Sequence, residues 1–162
     1  MSERFVGKFL ATVTDNNDPK HLSRLKVKVP EVFGEVATGW CLPCASYAGD
    51  KVGIAMVPPN GSLVFVEWPA GDTTRVAIWS GGLWVDGKGV PGADPEAIVL
   101  ATPKGHRIEV HDTASDKAIK VTAQSGAVIV LDDKGISLTF GSSKIEMTKS
   151  AVTINGGALK VT

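Results

Sequence analysis

Residues 105–162 read GHRIEVHDTASDKAIKVTAQSGAVIVLDDKGISLTFGSSKIEMTKSAVTINGGALKVT, and the spacing of their apolar residues decides the fold. Short alternating runs succeed one another: RIEVHD, KAIKVTA, AVIVLDD, ISLTF, SKIEMT, AVTIN and ALKVT. Their leading apolar residues are Ile108, Ile119, Ile129, Ile136, Ile145, Val152 and Leu159, at steps of 11, 10, 7, 9, 7 and 7 residues. Successive side chains of a strand point to opposite faces. Ile136, Leu138 and Phe140 therefore share one face, and Ser137 and Thr139 share the other. A loose repeat with a mean near 8 residues predicts an elongated β-solenoid or β-helix.

Strung as a meander, these strands make one thin sheet with an uncovered apolar face and two open edges, an arrangement prone to aggregation. No helix or second sheet is left in the chain to cover it, and the commonest cover is another copy of the same chain. Three copies about one axis would pair each strand with a neighbouring chain and bring the apolar faces together as a closed prism. The inward set is then Ile108, Val110, Ile119, Val121, Ile136, Leu138, Ile145, Met147, Val152, Ile154, Leu159 and Val161. Burying one Ile or Val contributes about 1.5–3 kcal/mol, so such a rod should be stable and slow to unfold. A two-chain or single-chain solenoid answers the same pattern.

Upstream, helix signals are nearly absent, because 18 glycines and 9 prolines interrupt most windows of the chain. Strand-like runs are Arg4–Val13, Arg24–Pro30, Gly39–Ala45, Ile54–Val57, Ser62–Trp68 and Arg75–Ser80, the last four bounded by Gly, Pro, Asn or Asp. In RLKVKVP, Leu25, Val27 and Val29 alternate with Lys26 and Lys28, as a half-buried strand should. Five or six short strands fit a small closed barrel such as an OB-fold. Residues 83–104 carry Gly-Lys-Gly and three prolines and read as a linker, although Ala97–Ala101 has the composition to pair with something. The expected division is 1–82, an OB-fold domain; 83–104, a linker; and 105–162, a shaft.

The bulk numbers restrict the function. Apolar content of 43% and charged content of 21% mark a globular chain, and the formal net charge is zero. That balance argues against a dedicated nucleic-acid binder or membrane-surface protein. The first residues lack the apolar run of a signal peptide, and no stretch approaches a membrane span. Assembly in a cytoplasm without a disulfide framework is expected.

Few residues invite a chemical reading. Cys41 and Cys44 stand as Cys-Leu-Pro-Cys, the spacing of a thiol oxidoreductase or half a zinc site. Residues 45–61 have no helical pattern to lower a thiol pKa, and no second pair or suitably spaced histidines complete a zinc site. Ordinary barrel cysteines are the expectation. His106 and His111, five apart, fall on opposite faces of a strand. Asp112, Asp132 and Asp133 lack the spacing of a calcium loop. Lys20, Arg24, Lys26 and Lys28 form the one basic cluster, which on an OB-fold suggests nucleic acid, but stacking aromatics are not interleaved with it. Trp40, Trp68, Trp79 and Trp84 read as barrel core and rim. No Ser/His/Asp set, Gly-x-Ser-x-Gly or P-loop occurs. No enzyme activity, cofactor or metal is expected.

The chain resembles the spike proteins of contractile injection machines: phage baseplate assembly protein V, the spike portion of VgrG proteins of type VI secretion, and their counterparts in extracellular injection systems. Asp15–Pro30 (DNNDPKHLSRLKVKVP) is similar to the family's D-x-x-D-P turn and basic strand. Gly39–Gly49 (GWCLPCASYAG), Pro58–Trp68 (PPNGSLVFVEW) and Gly71–Leu83 (GDTTRVAIWSGGL) resemble its later barrel elements. Thr102–Thr113 (TPKGHRIEVHDT) resembles the opening of its shaft, and this is the most specific of the motifs. Thr73, Thr74 and Arg75 stand where the family often has proline after Gly-Asp.

The resemblance implies an all-β chain: an N-terminal OB-fold barrel and a C-terminal intertwined trimeric β-helix. It implies a homotrimeric structural spike, seated on separate hub proteins and pushed through a target envelope, in a phage tail or an extracellular injection particle. No histidine lies near the C-terminus, so no tip metal is implied, and a separate tip protein of the PAAR type fits the untapered end.

Overall fold

The computed structural model describes residues 4–161. It comprises two compact units, Met1–Gly87 and Lys88–Thr162.

In the first unit, β1 (Phe9–Asp15), β2 (Lys26–Lys28), β3 (Leu42–Pro43), β6 (Leu63–Glu67) and β7 (Ile78–Leu83) form one sheet in the order β2-β1-β6-β7-β3. A separate two-stranded hairpin pairs β4 (Ala48–Gly49) with β5 (Val52–Gly53). The five-stranded sheet curls until its ends meet. Leu25 and Cys41 exchange backbone hydrogen bonds of 3.1 and 2.7 Å, joining the start of β2 to the start of β3. Alternation then sends every second residue inward. Ala11, Val13, Leu25, Val27, Val29, Cys41, Val64, Val66, Trp68, Ala77 and Trp79 make the core.

Two expected strands are corrected. Of Gly39–Ala45, only Leu42–Pro43 is strand, running parallel to β7. The amides of Leu42 and Cys44 donate to the carbonyls of Ala77 and Trp79, both at 2.8 Å, so Pro43 falls where the ladder needs no donor. Ile54–Val57 joins no ladder; the chain turns instead through β4 and β5, and Pro58-Pro59 comes soon after. A single helical turn, α1 (Pro30–Phe33), also appears. Proline presets its first φ, and four residues are too few to show a helical period.

In the second unit, β8 (Ala97–Ala101), β9 (Arg107–Thr113), β10 (Asp116–Thr122), β11 (Val128–Asp132), β12 (Ile136–Phe140), β13 (Ser143–Met147), β14 (Val152–Ile154) and β15 (Leu159–Val161) form one antiparallel meander in chain order. The stretch 83–104, read as a linker, thus contributes a strand: Ala97–Ala101 pairs residue for residue with β9, from His111 back to Arg107. Each strand finds its ladder partner in the next strand of its own chain, where the sequence reading expected neighbouring chains to supply the pairing. Period-two alternation is the same in both cases, so the pattern alone does not distinguish them. What one chain leaves open is a face and the two edge strands, β8 and β15.

Candidate assembly face

Residues directly opposite each other in an antiparallel ladder project from the same side of the sheet. The register therefore lines up two uninterrupted apolar rows across all eight strands. The first runs Ile98, Val110, Ile119, Leu131, Ile136, Met147, Val152, Val161. The second runs Leu100, Ile108, Val121, Ile129, Leu138, Ile145, Ile154, Leu159. All twelve residues expected to face inward stand in these rows by register; the side chain of Val161 lies outside the described residues.

Four row members were missed: Ile98, Leu100, Ile129 and Leu131. In AIVLA and AVIVLDD the apolar residues run on without alternation, so the sequence does not say which set faces which way. The partner strands carry that signal: Glu109 and Lys120 on one side fix Val99 and Val130 to it, and so put Ile98, Leu100, Ile129 and Leu131 on the other.

Burial on this sheet is inverted. Ile98 is 73% exposed and Leu138 43%, and Ile108, Ile119, Ile136, Ile145 and Met147 are likewise exposed. Ser137, Thr139, Lys144 and Glu146, on the reverse side, are only partly exposed. Among the described residues, Ala118 is the one buried apolar side chain of the second unit; all the others belong to the barrel. The reverse side instead carries ion pairs, each within one strand. Arg107 pairs with Glu109 at 2.7 Å, Lys120 with Asp116 at 2.6 Å and Lys144 with Glu146 at 2.7 Å. The Arg107 guanidinium holds the Glu109 carboxyl below the usual carboxylate range. His111 sits between Glu109 (3.5 Å) and Asp116 (4.0 Å), and His106 Nδ1 accepts the Gln124 amide at 3.3 Å.

The barrel's tempting residues take structural places. Asp18 is buried and builds the turn that leads into β2. Its carboxylate accepts the amides of Lys20 (2.9 Å), Leu22 (2.8 Å) and Arg24 (3.3 Å), and the Arg24 Nε at 3.1 Å. The guanidinium, helped by those amides, holds this carboxyl far below its ordinary range. His21 and Ser23 adopt left-handed φ of 53° and 57° within the turn, and Trp79 Nε1 donates to the Ser23 carbonyl at 3.0 Å. The basic cluster is largely neutralised: Arg24 by Asp18, Lys26 by Asp15 at 3.3 Å and Lys28 by Glu35 at 2.9 Å. Arg24 and Lys26 also cover the Trp40 ring, 5.3 and 4.7 Å from its centre, so that ring is not a free stacking platform. Trp68 and Trp79 are core residues, whereas Trp84 is 68% exposed.

Cys41 and Cys44 are both free thiols, the first buried and the second exposed. Cys41 is 1% exposed beside the Thr38 hydroxyl (3.3 Å), and burial pushes its thiol pKa up, away from the thiolate that redox chemistry needs.

Two family models match this chain. Residues 9–84 match the type VI secretion system/phage-baseplate injector OB domain, and residues 97–160 match the phage baseplate V C-terminal trimerisation domain. The chain belongs to the baseplate spike family of phage tails and type VI secretion systems. No curated protein matches it. The OB match of this spike-family chain begins at the first residue of β1. The trimerisation match begins at the first residue of β8, inside the stretch read as a linker. The bare apolar rows thus lie in the part of a spike-family protein that corresponds to its trimerisation domain. No helix among the described residues is long and apolar enough to cross a membrane.

Proposed function

We propose that this protein is the non-enzymatic central spike of a contractile injection particle, a homotrimer in which the eight-stranded sheets of three copies turn their apolar rows toward one axis. The observation that carries this reading is the pair of bare apolar rows on a unit with almost no buried apolar residue of its own. Strands stack along the axis, so β8 and β15, seven inter-strand steps of about 4.8 Å apart, span roughly 34 Å of shaft. Each level contributes two row residues per chain, which makes the interior a continuous apolar column. Covering the exposed half of such a side chain is worth about 1 kcal/mol. Repeated over two rows and three copies, this far exceeds the ordering cost of association.

A prism of this kind is stiff because bending it would break ladders and the apolar column together. Its role is mechanical: to transmit the thrust of a contracting sheath to a narrow end that meets the target envelope. The OB units would seat the trimer on separate hub proteins. The open β15 edge, at the far end of the meander, would take a tip protein of the PAAR type. Assembly would take place in the cytoplasm, before the particle is released. Co-expression with sheath, tube and hub proteins, with electron microscopy of purified particles, tests the reading. Three copies on the baseplate axis are expected; particles that assemble without this chain would overturn it.

A further inference from the structure

The apolar face is not symmetric from side to side. Beyond the first row lies a charged margin, where Asp112 and Lys117 face each other across β9 and β10. Beyond the second row, at the other ends of the strands, lies a margin of small residues, Ala123, Ala127 and Ser143, with Phe140 alone standing among them. Phe140 is 61% exposed. The small residues leave a concavity of about 500 Å³ beside it, floored by second-row side chains such as Val121, Leu138 and Ile145. Among the described residues, nothing in the same chain fills it.

We infer that this concavity is the socket for the first-row side chains of the next copy, Leu131, Ile136 and Met147, and that Phe140 sets the register between copies. The inference rests on the trimeric reading above. In a closed ring each contact is heterologous: one side margin of a sheet meets the opposite side margin of its neighbour. The small-residue margin of one copy therefore meets the flank of the next copy that carries the first row. Copies related by rotation alone hold equal strands at equal heights. The socket spans β10 to β14, and the first-row residues at the middle of that span are Leu131, Ile136 and Met147. The charged margin of the neighbour then projects past the socket into solvent, where Asp112 and Lys117 remain hydrated. A thioether such as Met147 adapts readily to an irregular hollow.

The test is a disulfide between copies. In a Cys44→Ser background, Ala127→Cys and Ile136→Cys are combined in one full-length chain. Within a chain these positions are about 13 Å apart along the strands, four residues at ~3.3 Å each, beyond the ~7 Å that a disulfide tolerates. Mild oxidation should give a covalent trimer on a non-reducing denaturing gel, and neither single variant should. A benzoylphenylalanine placed at position 140 provides a second readout, because it changes little but the ring's length. Photolysis should join it to a peptide containing Leu131, Ile136 or Met147. A protein that is trimeric by native mass spectrometry, yet yields neither product, refutes the socket while leaving the trimer standing. A monomer refutes both.

Discussion

Truncating Leu138 separates a sheet that is covered from one that is not. Leu138 lies in the second row between Ile129 and Ile145 and is 43% exposed in a single chain. If the face met water, Leu138→Ala would remove a half-wetted side chain and cost about 1 kcal/mol. If three copies enclose it, each chain loses a buried leucine, at about 2–5 kcal/mol per site. The three symmetry-related sites together then cost about 6–15 kcal/mol per trimer. Unfolding coupled to dissociation also has a midpoint that rises with protein concentration. Guanidinium titrations over a hundredfold range of concentration, read by far-ultraviolet circular dichroism, measure both effects. All four tryptophans lie at or before residue 84, so their fluorescence reports on the barrel separately. Thr139→Ala, one residue away on the reverse side, is the control and should shift stability by no more than about 0.5 kcal/mol. The reasoning fails if both variants shift the transition by the same small amount and the midpoint ignores concentration.

Three further outcomes are expected. Asp18 has a folded-state pKa below its unfolded value of about 3.9, so its contribution is complete above that value and is lost as the pH falls toward the folded one. Asp18→Asn should lower barrel stability at pH 7 and flatten its decline below about pH 4, as read by tryptophan fluorescence; an unchanged acid profile would contradict this. One thiol per chain, Cys44, should react promptly with a disulfide reagent in the native protein, and Cys41 only after denaturation; two prompt thiols would contradict the buried placement. Gly135 has φ +144°, and a Cβ there would overlap the Met147 carbonyl, so Gly135→Ala should cost about 1–3 kcal/mol of strain in the β11–β12 turn. A thermal melt like that of the parent would refute it.

Much of the second unit is legible in the sequence because alternation fixes faces directly. Ile136, Leu138, Ile145 and Met147 alternate with Ser137, Lys144 and Glu146, and the ladder puts them where the pattern says. Where alternation lapses the reading lapses too. Ala97–Ala101 and Val128–Leu131 are apolar at every position, and only cross-strand partners decide their faces. The barrel is legible in class but less so in detail. Its closure runs through two isolated bridges, Leu25 to Cys41 and Lys28 to Ala37, between residues whose neighbourhoods resemble loops as much as strands. The D-x-x-D-P turn is visible as a motif; its use of Asp18 as a buried acceptor for three amides becomes visible only in three dimensions. Cys-Leu-Pro-Cys shows the opposite effect. Its spacing suggests chemistry, but the fold buries one thiol in the barrel seam and leaves the other at the surface.

Native mass spectrometry of the full-length chain tests the central claim most directly. The expected result is a single species of three chains that persists on dilution to nanomolar concentration. A monodisperse monomer would contradict it, because the two apolar rows would then be facing water.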